Sequence, residues 1–270
     1  MKYGLLGHKI AYSLSPVIHK MINRAGIDYE ILDLSPEDLP QKLPEIVKGF
    51  SGFNVTIPHK QVIMELCREI DPIAEKIGAV NTVKIHGGHW KGYNTDYLGF
   101  IETIKSSIPN YITYHPVIVG YGGVARAVIF SLQKLGFKAC SVVGGINASE
   151  REEFIADMHQ VLELTGHKKL PETKKLWINC TPVGGAKNPS VPPDFISYDK
   201  KDVLYDLNYS PCPTYLEKIA RSKGMVTLNG MNMLVSQAIE AQKIWNPDNK
   251  DLNCDTDKII HSLAVGKSVS

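Results

Sequence analysis

One stretch limits the fold more than any other. Val117-Ile118-Val119 is a β-branched apolar run, Gly120-Tyr121-Gly122-Gly123 follows it, and Val124–Leu135 then carries Val128, Leu132 and Leu135 at helical spacing. A buried strand, a glycine turn and a helix in that order open a parallel α/β unit. Glycines let the backbone turn tightly and approach a pyrophosphate. The helix start offers unpaired N–H groups and the positive end of the helix dipole. Ala127 lets the helix pack closely on the strand. The pattern is Gly-x-Gly-Gly-x-x-x-Ala rather than Gly-x-Gly-x-x-Gly, so an ordinary strand-to-helix turn is the alternative; the strand context favours the nucleotide.

The same alternation runs through the chain. Strands are predicted at Tyr3–Leu6, Tyr29–Leu34, Phe53–Thr56, Lys138–Val143, Leu176–Asn179, Val203–Leu207 and Val226–Leu228. Helices are predicted from Ser15-Pro16, around Pro36–Val47, over His59–Leu66 and over Met231–Trp245, with Pro247 at or beyond its end. Ala79–Ile85 and Trp90–Tyr93 pattern as a hairpin across His86-Gly87-Gly88-His89. A short amphipathic stretch lies near Ile259–Leu263. The fold class is α/β with a mostly parallel sheet.

Composition narrows the function classes. With 270 residues, 43% hydrophobic and 21% charged, the chain holds one or two globular domains rather than a disordered or fibrous sequence. A net charge of +2 gives no reason to expect nucleic acid or an anionic membrane as partner. No run approaches the ~20 apolar residues of a membrane helix. Cys67, Cys140, Cys180, Cys212 and Cys254 are odd in number and form no Cys-x-x-Cys, which reads as free thiols in a reducing compartment, by default the cytoplasm.

Several segments carry residues with chemical potential. In Ser13-Leu14-Ser15-Pro16, Ser15 before Pro16 suits a helix N-cap. The two hydroxyls also suit a small carboxylate. In Asn54-Val55-Thr56-Ile57-Pro58-His59-Lys60, alternation puts Asn54 and Thr56 on one side of a strand, with Lys60 opening the next helix. Polar groups at the C-terminal ends of strands are where α/β sheets place ligands. Gly92-Tyr93-Asn94-Thr95-Asp96 reads as a loop with Asx-type turns before a helix, or as the source of a carboxylate for Lys60. Asn179–Gly184 and Asp206–Pro211 end later strands, and Gln237 is an amide in an apolar helix start that needs a partner. His86 and His89 sit at a hairpin tip with no third ligand nearby, so no metal site is expected.

Taken in order, these segments resemble the shikimate dehydrogenase family. The match runs from Gly7 to about Trp245 and includes Ser13–Pro16 with His19, Asn54–Lys60, Gly78-Ala79-Val80-Asn81-Thr82, Asn94-Thr95-Asp96, Gly120–Ala127, Asn179–Gly184, Asp206–Pro211 and Gly230–Ala238. The resemblance implies an α/β substrate-binding domain from residues 1–97 with 233–270. It implies a Rossmann-like NADP-binding domain from 98–232, with a cleft between the two. It further implies reversible NADPH-dependent reduction of 3-dehydroshikimate to shikimate, a step toward chorismate and the aromatic amino acids. Lys60 and Asp96 would be the catalytic pair. Ser13, Ser15, Thr56, Asn81, Tyr209 and Gln237 would bind substrate. Gly120, Gly122, Gly123, Val124, Ala125, Thr181, Gly230 and Met233 would bind the cofactor. Small molecules are then the partners, with no nucleic acid or membrane, and the chain would act as a monomer or homodimer.

One departure bears on the cofactor. Relatives that bind NADP usually carry Asn-Arg-Thr or Asn-Arg-Ser after the second strand of the cofactor domain. Here Gly144-Gly145-Ile146 stands at direct register and Asn147-Ala148-Ser149 three residues on, neither with the Arg. Arg151 and Arg126 are the available substitutes, and no acidic residue sits where a ribose diol would select NAD. NADP is therefore expected, with NAD open. Two alternatives remain: an NAD-using quinate/shikimate dehydrogenase, and a shikimate-binding sensor without catalysis.

Overall fold

A computed structural model describes residues 1–23, 26–144, 148–159, 161–165, 170–185, 188, 196–249, 252 and 255–266. The chain divides into two compact units, Met1–Gly99 with Leu234–Ser270, and Phe100–Met233.

The first unit is built on a six-stranded sheet. Its strands are β1 (Lys2–Gly7), β2 (Asp28–Asp33), β3 (Gly52–Val55), β4 (Glu69–Ile70), β5 (Thr82–His86) and β6 (His89–Tyr93). Their spatial order is β2-β1-β3-β5-β6-β4. The β2–β1, β1–β3 and β4–β6 pairings are parallel, whereas β3–β5 and the β5–β6 hairpin are antiparallel. Helices α1 (Ser15–Ile22), α2 (Leu39–Ile46) and α3 (Pro72–Ile77) connect these strands. Alternation in the strands divides the apolar residues between the two faces. Leu6, Leu32, Phe53, Val55 and Val83 pack with Leu39, Leu43 and Ile63. On the other side, Tyr3, Leu5, Ile10, Ile27 and Tyr29 pack with Ala241 and Trp245 of α8 (Met231–Trp245). Trp245 stacks on Tyr3 with centroids 4.5 Å apart, and its Nε1–H donates to the Val83 carbonyl at 2.9 Å. Its ring takes the space that a side chain on Gly52 would fill: a Cβ there would lie 2.4 Å from Trp245 Nε1.

The second unit holds a wholly parallel sheet of β7 (His115–Val119), β8 (Ala139–Val143), β9 (Glu163–Thr165), β10 (Lys175–Asn179), β11 (Val203–Asp206) and β12 (Val226–Asn229). The order is β12-β11-β10-β7-β8-β9. The chain therefore winds outward from β7 in one direction and from β10 in the other, the strand order of a Rossmann-like sheet, with its switch point between β7 and β10. Helices α5 (Gly123–Lys134), α6 (Ala148–Met158) and α7 (Tyr215–Ser222) belong to this unit. Helix α4 (Asp96–Ser107) and α8 each span a unit boundary, and α9 (Thr256–Gly266) lies in the first unit.

Three sequence expectations need correction. The segment His59–Leu66 is not one helix: residues 57–61 form turns, and a 3-10 helix covers only Val62–Leu66. Pro58 directly before the segment fixes the backbone of the turn, and the β-branched pair Val62-Ile63 disfavours regular α-helix after it. Lys60 therefore sits in a turn, and β3 ends at Val55, one residue before Thr56. Third, Ser15 does not cap α1. Leu14 holds the N-cap position without a side-chain bond, and Ser13 Oγ instead accepts the Ser15 N–H at 3.2 Å.

Candidate active site

In the first unit, the chemistry-bearing side chains gather where strand ends meet loops. β1 and β3 run parallel, and the chain leaves β3 through Thr56, whose N–H donates to the Leu6 carbonyl at 2.8 Å. The following turn is pinned in two places. His59 is buried and its Nε2 bonds the Leu34 carbonyl at 2.9 Å. The Lys60 carbonyl accepts the Val80 N–H at 2.7 Å. With its backbone fixed, Lys60 extends its ammonium to Asp96 Oδ2 at 2.6 Å. The pair is largely withdrawn from solvent, with side-chain exposures of 13% and 8%. Asp96 starts α4, and its own N–H donates to Asn94 Oδ1 at 3.0 Å, the Asx turn expected from the sequence.

The second carboxylate oxygen of Asp96 is also engaged. Asn81 Nδ2 donates to Asp96 Oδ1 at 2.8 Å and lies 3.0 Å from Thr95 Oγ1. Gln237 approaches the same group from α8, with Oε1 3.5 Å from both Asn81 Nδ2 and Thr95 Oγ1, while its Nε2 donates to the Leu234 carbonyl at 2.8 Å. The partner that a buried amide requires is thus the protein itself. Lys60, Asp96, Asn81 and Gln237 form one connected cluster. Ser13 and Ser15 form another feature, their hydroxyls 3.2 Å apart. Tyr209, half-buried, belongs to the second unit.

The second unit presents the glycine turn at its switch point. Gly120 has φ +95°, the left-handed region that favours glycine, and a Cβ there would meet Thr181 Cγ2 at 2.6 Å. β7 and β10 are neighbours, so this places the turn against the loop after β10. Gly122 is the opposite case: nothing lies within 4 Å of where its Cβ would be, and it holds the N-cap of α5 without any side-chain bond. Helix α5 therefore starts without a side-chain cap, and the space beside Gly122 is open. Thr181 Oγ1 is oriented by Asn179 Oδ1 at 2.7 Å. Gly230 lies against Leu207, whose carbonyl oxygen would be 2.0 Å from an added Cβ. Met233 is buried at the start of α8.

Asp206, at the end of β11, was not expected to organise these loops. It is buried and accepts from Thr214 Oγ1 at 2.6 Å, Asn208 Nδ2 at 2.8 Å, Asn179 Nδ2 at 2.9 Å and the Asn208 N–H at 3.1 Å. Burial raises its carboxyl above the usual range, and these bonds oppose that shift. The sequence signal available for it was Thr214-x-x-Glu217, a capping box that starts α7 and places Thr214 beside it.

Of the departure after β8, Gly145, Ile146 and Asn147 lie outside the described residues, and only Gly144, buried with φ +75°, is described of the direct-register set. The two substitute cations differ. Arg126 on α5 pairs with Asp157 and lies over the Phe154 ring, 5.3 Å from its centroid. Arg151 on α6 pairs with Glu152 at 3.3 Å, and its Nε is buried with no hydrogen-bond partner among the described residues.

Comparison with known proteins gives a consistent picture. Residues 5–83 match the family described as shikimate dehydrogenase substrate binding domain. A Nostoc protein named shikimate dehydrogenase (NADP(+)) is 37% identical over 259 residues, covering 90% of this chain and 89% of that protein. Shikimate 5-dehydrogenase from Thermus thermophilus, solved with NADP(H) and shikimate, superposes with a TM-score of 0.82 at 30% identity over 96% of this chain and 97% of the other. Quinate dehydrogenase from Corynebacterium glutamicum, solved with NAD, gives 0.82 at 27% identity over 98% and 99%. With its sheets and its Lys60–Asp96 cluster alongside this similarity across nearly its whole length, the chain belongs to the shikimate dehydrogenase family.

Proposed function

We propose that the chain catalyses the reversible oxidation of shikimate to 3-dehydroshikimate with NADP, running as reduction with NADPH. The observation that carries this reading is the largely buried Lys60–Asp96 pair, 2.6 Å apart and braced by Asn81. Carbonyl reduction needs a proton, and positive charge, at the oxygen where alkoxide develops. The Lys60 ammonium supplies both. In oxidation, neutral Lys60 takes the hydroxyl proton instead. Asp96 orients that ammonium and, with Thr56, Asn81 and Gln237, reads the ring hydroxyls. Ser13 and Ser15 hold the substrate carboxylate.

A bound dinucleotide would supply or accept the hydride. The open space beside Gly122 and the start of α5 without a side-chain cap fit a pyrophosphate. Gly120, Gly123, Val124, Ala125 and Thr181 shape that turn, while Gly230 and Met233 line the nicotinamide end. Arg151 is the residue assigned to the 2′-phosphate. Its buried Nε lacks a partner among the described residues, whereas Arg126 is already paired with Asp157.

The experiment is side-by-side oxidation of shikimate and quinate with NADP and with NAD, followed at the absorbance of the reduced nicotinamide. Turnover of shikimate with NADP is expected. Turnover mainly with quinate or with NAD would move the chain to the sibling activity. No turnover with either cofactor would remove the catalytic reading.

A further inference from the structure

The Lys60–Asp96 pair is the end of a longer polar chain through the first unit. Tyr29 O–H donates to Asn54 Oδ1 at 2.8 Å. Asn54 Nδ2 donates to Thr82 Oγ1 at 3.0 Å and to the Asn81 main-chain carbonyl at 3.3 Å. Thr82 O–H donates to Asn81 Oδ1 at 3.0 Å, and Asn81 Nδ2 donates to Asp96 Oδ1 at 2.8 Å. Every member is buried: Tyr29, Asn54, Asn81, Thr82 and Asp96 each keep 5% or less of their surface.

The direction of this chain is fixed by the backbone. A main-chain carbonyl only accepts, so the Asn81 carbonyl marks the Asn54 atom facing it as the NH2 group. A main-chain N–H only donates. The Thr95 N–H reaches Asn81 Oδ1 at 2.7 Å, so that atom is the oxygen and the NH2 faces Asp96. Between these two amides Thr82 has one arrangement that satisfies both neighbours: it accepts from Asn54 and gives its only proton to Asn81, whose Oδ1 is nearer than Thr95 Oγ1 at 3.3 Å. All donors therefore point toward the Asp96 carboxylate, and bonds in such a series polarise one another.

We propose that Thr82 is a positioning residue: its hydroxyl, oriented by Asn54, holds the Asn81 amide with its N–H on Asp96, and so sets the carboxylate that holds Lys60. Thr82 lies next to Asn81 in sequence and opposite Asn54 in the β3–β5 register, so it links the two strands that carry the site. Among the described residues its hydroxyl meets Asn54, Asn81 and Thr95 rather than Lys60. Its effect passes through Asn81. This inference rests on the shikimate dehydrogenase reading above.

The test is a double-mutant cycle on the full chain, with folding checked by circular dichroism. Thr82→Val keeps the shape and removes the hydroxyl, and Thr82→Ser keeps the hydroxyl. With shikimate and NADP, Thr82→Val is expected to lower kcat/KM about tenfold, the equivalent of a bond and a half at ordinary strength. Thr82→Ser should stay within about threefold of wild type on the same scale. In an Asn81→Ala background, Thr82→Val should cost less than about twofold, because the group it acts through is gone. If Thr82→Val is insoluble, Tyr29→Phe replaces it, with an expected loss of about threefold that also vanishes in Asn81→Ala. A folded Thr82→Val with unchanged kcat/KM, or a loss of full size in the Asn81→Ala background, overturns the proposal. The same two results with Tyr29→Phe overturn it equally. An inactive wild-type protein overturns the activity reading instead.

Discussion

Lys60 and Asp96 meet at 2.6 Å although 36 positions separate them in the chain. One comes from a turn pinned by buried His59, and the other begins α4 behind an Asx turn. Neither backbone is free to follow its side chain, so the geometry is set before a substrate arrives. Lys60→Ala is expected to lower kcat by about 10³-fold with little change in KM for shikimate, as removal of a general acid–base group does. Asp96→Asn keeps the shape but loses the charge that holds the ammonium, and should cost about 100-fold in kcat. Steady-state kinetics of shikimate oxidation check both, and a near-normal kcat for Lys60→Ala would remove its assignment.

Arg151 gives a cofactor prediction. Arg151→Ala should weaken NADP binding about tenfold and leave NAD binding within about twofold, because only NADP carries the 2′-phosphate. Titration of NADPH and NADH by their fluorescence reads this without turnover. Equal loss for both nucleotides would show that Arg151 supports the fold of the turn rather than reading the phosphate.

His19 carries the pH dependence of stability. It is fully buried, stacked on Tyr29 with centroids 4.3 Å apart, and its Nδ1 takes a bond from Gln242 at 2.9 Å. Burial pushes its imidazole down to about 3, against a weaker upward pull from Asn54. The unfolded chain, near 6.5, takes the proton first, so stability is full above about pH 6.5 and is lost as pH falls toward 3. The slope from this one group is about 1.4 kcal/mol per pH unit, or about 2 kcal/mol between pH 6.5 and 5. Urea unfolding at pH 7, 6 and 5 should show that decline in wild type and a flatter one in His19→Phe. Parallel declines would place the acid sensitivity elsewhere.

Asp206→Ala leaves Thr214, Asn179 and Asn208 donors without their shared acceptor. Stranded buried donors cost more than the bonds themselves contribute, so a loss of about 3 kcal/mol is expected in urea unfolding at pH 7. Asn179 also orients Thr181, so NADPH should bind more weakly in the same variant. Unchanged affinity with lowered stability would confine Asp206 to the fold.

Local pattern carried much of this into view from sequence. The strand before Gly120 and the helix over Met231–Trp245 were legible because apolar periodicity persists long enough to register. Lys60 was legible as a residue but not as a turn, since Pro58 before it acts through backbone geometry the periodicity does not express. The short strand Glu69–Ile70 has too few residues for any pattern, and α3 was not expected either, being six residues long between an Asp71 cap and left-handed Gly78. Thr82 was hidden for a different reason. Its part depends on the register that sets it opposite Asn54, and an antiparallel pairing across 28 positions is not written in either strand alone.

The placement of α8 has a consequence for how the chain is made. All six strands of the first sheet lie within Met1–Gly99, yet Ala241 and Trp245 are needed to cover Tyr3, Ile10 and Tyr29. Phe100–Met233 carries its whole sheet within one continuous stretch. Since domains fold as units in the order that synthesis completes them, the middle of the chain reaches its finished form first. The first sheet is therefore the last to be sealed, and one face of it waits for the helix bearing Gln237.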